Sequence, residues 1–270
     1  MRTAATPFTF LARPLRSAAE LRHVAAFTLV EMLVVIAIIG VLASIGIPAL
    51  KGFGSSNAVS AATRQLMDDM TLARQTALNN RSEVLMVFVP PMTQAESANL
   101  KLQLTTNTVG ILQLSHLTNA PYSSYALYAK RTMGDQPGAK NGRYLTPWRT
   151  LPEGVFVATN EFTVLNDNLW KSVSNLTNRP LHYVSLPFPS QNGVPFPLPT
   201  ISFNFQGQLS AQGDEYLMLT RGSLVYSTAP GNPPLPLPPE VVETPKNNTR
   251  SNNVIRIDWL TGRARAERLP

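Results

Sequence analysis

One carboxylate draws attention first. Between Leu29 and Leu50 every residue is uncharged except Glu31. The run is about long enough to cross a bilayer as a helix. A carboxylate at the centre of such a helix costs about 2.5–3.5 kcal/mol, and still something near its edge. Arg2, Arg13, Arg16 and Arg22 precede the run. The positive-inside rule would keep them cytoplasmic and export the rest of the chain. Three readings compete: an ordinary signal peptide cut after its apolar core, an uncleaved anchor, and a signal cut before the apolar run. Glu31 discriminates among them, since a simple anchor gains nothing from it.

Other residues with chemistry are sparse. His23, His116 and His182 are the three histidines. None stands in a recognisable catalytic pattern, and a surface or internally satisfied role is the simpler reading. There is no nucleophile elbow, phosphate loop or zinc spacing, so neither an enzyme nor a cofactor or metal protein is expected. Asp214–Glu215 could touch a cation, but two adjacent acids without further oxygen ligands carry little weight. Asp68–Asp69 reads as a solvated helix face. The basic tail is richer: Lys246, Arg250, Arg256, Arg263, Arg265 and Arg268 face only Asp258 and Glu267. Charges of this kind protect an exposed edge hairpin from pairing. The alternative is that they hold phosphates. Strand alternation would put Arg263 and Arg265 on one face, with Trp259 near enough to stack on a base or to join the core.

The stretch Ala26–Leu50 resembles the prepilin cleavage and methylation motif, in which a small residue precedes Phe-Thr-Leu-x-Glu and an apolar helix. The resemblance implies cleavage between Ala26 and Phe27 by a prepilin peptidase and N-methylation of Phe27. It also implies that Glu31 pairs with the terminal amine of a neighbouring subunit, which fits the need of a buried carboxylate for a partner. Gly40 and Pro48 fall where pilins often carry glycine and proline, and a proline breaks one helical hydrogen bond. The family normally has glycine before the cut. Ala26 is the smallest alternative, which predicts slower cleavage.

These residues need elements to position them. Val59, Ala62, Leu66, Met70, Ala73 and Ala77 recur at spacings of three and four, one stripe of a helix that ends at Asn79–Asn80. A helix over 27–80 would reach about 80 Å, kinked near Pro48, with its second half packed on the head. Strands are expected at Glu83–Val89, Leu100–Thr105, Gly110–Ser115, Tyr122–Thr132, 154–158, 162–165, 181–186, Thr200–Phe205 and Glu215–Ser227. Val254–Asp258 and Arg263–Glu267 form a terminal hairpin. Residues 133–150 read as a loop, 187–199 as an extended connector, and 230–239 as a polyproline surface loop. With 23 prolines and no cysteine, the chain suits an irregular β domain without disulfides.

One helix followed by many strands predicts an α+β fold: a long hydrophobic N-terminal helix packed on an antiparallel β-sheet or small sandwich. The expected parts are a cleaved leader over 1–26, a transmembrane half-helix over 27–50, an amphipathic half over 51–80, and a β-rich head over 81–270. Four patches of the head are similar to GspH/FimT-type minor pseudopilins: LARQTALNNRSEV within Asp69–Val89, WRTLPEGVFV (148–157), ISFNFQG (201–207) and VIRIDWLTGRAR (254–265). Residues 90–147 and 166–199 lie outside that likeness and look like insertions. The resemblance implies an inner-membrane protein with an exported head, a subunit of a type II secretion pseudopilus or a type IV pilus-like filament. Its implied partners are prepilin peptidase, other pilins, the inner-membrane assembly platform and, before assembly, membrane lipid. DNA, held by Arg256, Arg263, Arg265 and Arg268, is the alternative partner.

Overall fold

The computed structural model describes residues 28–104, 107–136, 141–172, 179–231, 234–246, 248 and 254–267, with side chains at 45–56, 167 and 172 excepted. The leader, Ala26, Phe27 and Arg268 lie outside the described residues. The chain divides into two compact units, Met1–Leu50 and Lys51–Pro270.

The first helix, α1, spans Leu29–Asn80 and remains helical through Pro48. In the first unit its described apolar side chains are exposed all round, from Leu29 to Leu42. Among the described residues no helix is long and apolar enough to cross a membrane. Leu29–Ser44 alone rises about 24 Å, and the apolar residues that would extend it fall among those whose side chains are not described.

In the second unit the expected stripe is buried as written: Ala62, Leu66, Met70, Ala73 and Ala77 have no exposed surface. The helix ends in a Schellman motif. Arg81 takes a left-handed φ of 47°. Ser82 N–H donates to Ala77 O and Arg81 N–H to Leu78 O, which satisfies carbonyls the helix would otherwise orphan.

The strands are β1 (Val84–Phe88), β2 (Ser124–Ala129), β3 (Arg143–Tyr144), β4 (Arg149–Thr150), β5 (Val155–Val157), β6 (His182–Phe188), β7 (Val194–Phe203), β8 (Glu215–Val225), β9 (Thr228–Ala229), β10 (Leu235–Pro236), β11 (Glu240–Glu243), β12 (Val254–Ile257) and β13 (Ala264–Glu267). All of their pairings are antiparallel. One sheet runs β3-β2-β1-β7-β6, with β4 also on β2. A second runs β11-β8-β12-β13, with β5 also on β8, and β9–β10 form a small ribbon. One face of both sheets shares a single core with α1: Met86 and Phe88 of β1, Leu127 of β2, Ile201 and Phe203 of β7, Leu217 and Leu219 of β8, Ile255 and Ile257 of β12. The α+β reading and the packing of the second half of the helix therefore hold.

Several expectations are corrected. Of the segments read as strands, Leu100–Gln103 belongs to a helix, α2 (Gln94–Gln103), with Leu104 as its C-cap and Thr105 outside the described residues, and Gly110–Ser115 belongs to α3 (Thr108–Thr118). A capping box starts α2: Thr93 Oγ1 accepts from Glu96 N–H, and the Glu96 carboxylate accepts from Thr93 N–H. Leu100, Leu104, Leu114 and Leu117 face Leu85, Val87, Leu186, Phe188 and Leu198 on the other side of the first sheet. This is why β1 is buried on both faces and reads as an unbroken apolar run. Residues 162–165 are not a strand; a 3-10 turn spans Thr159–Phe162, before a short α4 (Asp167–Ser172). The supposed connector 187–199 is a hairpin, β6 paired with β7 from His182↔Thr200 to Phe188↔Val194. The 133–150 loop contributes β3 and β4, and the proline stretch contributes β10. Within Glu215–Ser227, which sequence alone leaves open as one or two strands, a single strand, β8 (Glu215–Val225), runs past Gly222.

Candidate functional site

Two places carry the residues singled out by chemistry. At the start of α1, Glu31 N–H donates to Thr28 Oγ1 at 3.1 Å, so Thr28 caps the helix and Glu31 sits in its first turn, where a carboxylate complements the helix dipole. Around it Leu29 is 81 % exposed and Ile36 65 %. Nothing else in the described unit covers these side chains. A Cβ built on Gly40 would meet nothing within 4 Å, so no neighbour among the described residues explains that glycine. A helix that is apolar on every side belongs in lipid or among other helices. Pro48 lies within the helical run, and its side chain is outside the description.

The second place is the β12–β13 hairpin. Asp258 shapes its turn by accepting from Thr261 N–H and Oγ1, both at 2.7 Å. These bonds hold its carboxyl below the usual range. Arg256, Arg263 and Arg265 line one cavity of about 380 Å³ together with Asp258, Thr261 and Glu267. The structure therefore brings three of the four predicted arginines together. Arg256 is already engaged: its guanidinium donates to Asp214 Oδ2 at 2.7 and 3.0 Å and lies 3.8 Å from Glu267. Arg263 and Arg265 are exposed, which leaves them as the cations open to a ligand. Trp259 is 38 % exposed and so is not a core residue.

The acidic pair does not act as a unit. Asp214 binds Arg256 and accepts from Trp259 N–H at 3.0 Å. Glu215 is buried, and burial pushes its carboxyl up to about 7, partly offset by Arg179. Burial also pushes the carboxyl of nearby Glu161 well up. Among the described residues no group of three or more metal-ligating side chains forms. His182 packs its ring against Trp170 at 4.9 Å.

The sequence reading missed a polar seam between α1 and the head. Asp69 is 5 % exposed, not part of a solvated face. It accepts from Tyr125 OH at 2.7 Å and forms an ion pair with Arg149. Gln65 Nε2 donates to Tyr125 OH at 2.7 Å and to Thr150 O at 3.1 Å. One turn further on, Arg74 Nε donates to Thr261 O at 2.6 Å and Gly207 O at 3.2 Å. A Cβ on Gly262 would lie 2.1 Å from Gly207 O, so only glycine permits this approach. Three sequence stretches thus meet α1: WRTLPEG at Asp69, and both ISFNFQG and LTGRAR at Arg74.

The model of the prokaryotic N-terminal methylation motif matches residues 21–47. The chain is therefore type IV pilin-like at its N terminus. A motif of this kind implies processing by prepilin peptidase and assembly with other pilins. No curated protein and no solved structure matches the chain.

Proposed function

We propose that the chain is a minor pilin or pseudopilin of the GspH/FimT type, a structural subunit of a type II secretion pseudopilus or a type IV pilus-like filament. The observation that carries this reading is the methylation motif on a helix whose apolar side chains are exposed from Leu29 to Leu42. In this account the leader is removed at Ala26–Phe27 and Phe27 is methylated. Residues 27–50 sit in inner-membrane lipid before assembly, with the head exported. On the assembly platform the same surface passes from lipid to neighbouring pilin helices. Glu31 sets the register by meeting a neighbour's terminal amine, Gly40 allows close helix approach, and Pro48 leaves the helix one backbone hydrogen bond short. The work is mechanical, with no catalytic step. Intact mass of membrane-extracted protein, with and without prepilin peptidase, tests this. A chain beginning at methylated Phe27 is expected only when the peptidase is present. A retained leader, or a cut beyond Leu50, would sink the reading.

A second reading rests on the hairpin cavity. Exposed Arg263 and Arg265 suit a DNA backbone, as in a minor pilin for DNA uptake. Phosphate contacts of this kind weaken steeply with salt. A gel shift at low salt, lost in the Arg263→Ala/Arg265→Ala variant, is the expected result. No shift at low salt removes this reading.

A further inference from the structure

The two stretches outside the family likeness, 90–147 and 166–199, meet the start of the WRTLPEGVFV patch at one cavity of about 380 Å³, a size typical of small-molecule sites. Gln113 and His116 come from α3, Tyr144 and Trp148 from the segment around β3 and β4, and Ser190 and Gln191 from the β6–β7 turn. Tyr144 OH donates to Pro187 O at 2.8 Å, and Trp148 Nε1 to Pro189 O at 2.7 Å. With their polar edges fixed on backbone carbonyls, both rings bring carbon to the cavity. Tyr144 and Trp148 lie 5.4 Å apart, and Trp148 meets Phe188 at 5.5 Å, so packing holds the rings in place. On the rim, the side chains of Gln113, His116, Ser190 and Gln191 make no hydrogen bond among the described residues. No Asp, Glu, Lys or Arg lines the cavity.

We propose that this cavity binds a short neutral saccharide, laid on Tyr144 and Trp148 and held at its hydroxyls by Gln113, His116 and Gln191. The C–H groups on one face of a pyranose carry slight positive charge, and the face of an aromatic ring is negative. Each sugar hydroxyl both donates and accepts, and each glutamine amide offers both functions. A charged ligand would lose its hydration without finding a counter-charge. A proline-rich peptide is the other chemistry that uses aromatic grooves. Such grooves grip the peptide carbonyls with indole N–H and phenol O–H donors, and here both donors are spent on Pro189 and Pro187. The site would serve the head whether or not the chain enters a filament.

Calorimetric titration of the full chain tests this, in a zwitterionic detergent free of sugar, with cellobiose, lactose, maltose and N,N′-diacetylchitobiose. Saturable binding to at least one is expected. Gln113→Ala or Gln191→Ala should weaken it about tenfold and leave the unfolding midpoint unchanged. Trp148→Ala should abolish binding, but it also disturbs Phe188, so the rim variants carry the test. The proposal is overturned if none of the four sugars binds, or if both rim variants bind like the parent. It is also overturned if the peptide Pro-Pro-Leu-Pro-Leu-Pro-Pro binds in their place.

Discussion

Two stretches of one helix differ sharply. Over Leu29–Ser44 the described side chains are apolar on every face and exposed; over Val59–Ala77 a single stripe is apolar and buried. The second stretch was written for this chain's own head, and its polar side chains are spent there as well, Asp69 on Arg149 and Tyr125, Arg74 on two carbonyls. The first was written for an environment the chain does not contain. Sequence hydrophobicity alone does not separate these destinations. Periodicity does, because a helix that packs on one partner needs one stripe, and a helix in lipid or a bundle needs all of its circumference.

The sharpest break of this comparison is a pair of truncations. Met70→Ala should cost about 3–5 kcal/mol in urea unfolding of the full chain, because it empties a fully buried site. Ile38→Ala should leave head stability within about 0.5 kcal/mol. A similar loss from both would show that the two stretches are not separately specified.

The next effect depends on pH. In the folded head Glu215 titrates near 7, above the ordinary glutamate value, so the folded state holds a proton that the unfolded state has released. Stability should be greatest below about pH 4.5 as far as this group is concerned, and should fall as pH rises towards 7. The drop is on the order of 3 kcal/mol. Glu161, pushed the same way by burial, adds to it, and Arg179 opposes it. Melting curves from pH 5 to 8 should show this slope, and Glu215→Gln should flatten it.

Asp69→Ala should cost about 2–3 kcal/mol, by stranding the Tyr125 hydroxyl and removing the partner of Arg149. Arg149 is 41 % exposed at its side chain, so water recovers part of that loss. The smallest effect has the opposite sign. Arg81→Gly should stabilise the head by up to about 1 kcal/mol, since a left-handed φ of 47° strains any residue with a Cβ. A destabilised Arg81→Gly head would mean that the helix end is held by the arginine side chain and not by its backbone turn.

Much of the fold was legible. The helix stripe, β1, β2, β8 and the terminal hairpin follow from apolar spacing and turn residues. The helices α2 and α3 were not, and Leu102 shows why. Leu100, Leu102 and Leu104 alternate like a strand, yet Leu102 is 68 % exposed while the other two are buried. The spacing of four between the buried pair is the helical signal, and the capping box at Thr93–Glu96 was a second one. Prolines hid the β6–β7 hairpin, because pairing through alternate residues tolerates them better than composition suggests. Asp69 was unreadable locally: a lone acid off an apolar stripe looks solvated, and its partners Tyr125 and Arg149 lie 56 and 80 residues away. Of the candidate site, Arg263 and Arg265 emerged from alternation and do share a cavity. The engagement of Arg256 by Asp214 did not emerge, because no pattern links a strand residue to a turn 42 positions earlier.

The doubly covered strand β1 also dictates an order of events during folding. Its β2 edge and the α2–α3 cover come from the next stretch of chain, but its other edge waits for β7, and the shared core waits for β8 and β12. A chain folding N terminus first would hold Leu85, Val87 and Val89 under its helices early. Met86 and Phe88 would meet α1, already made, but would lack β8 and β12 until the last strands arrive. The waiting intermediate would therefore be sticky on that side only.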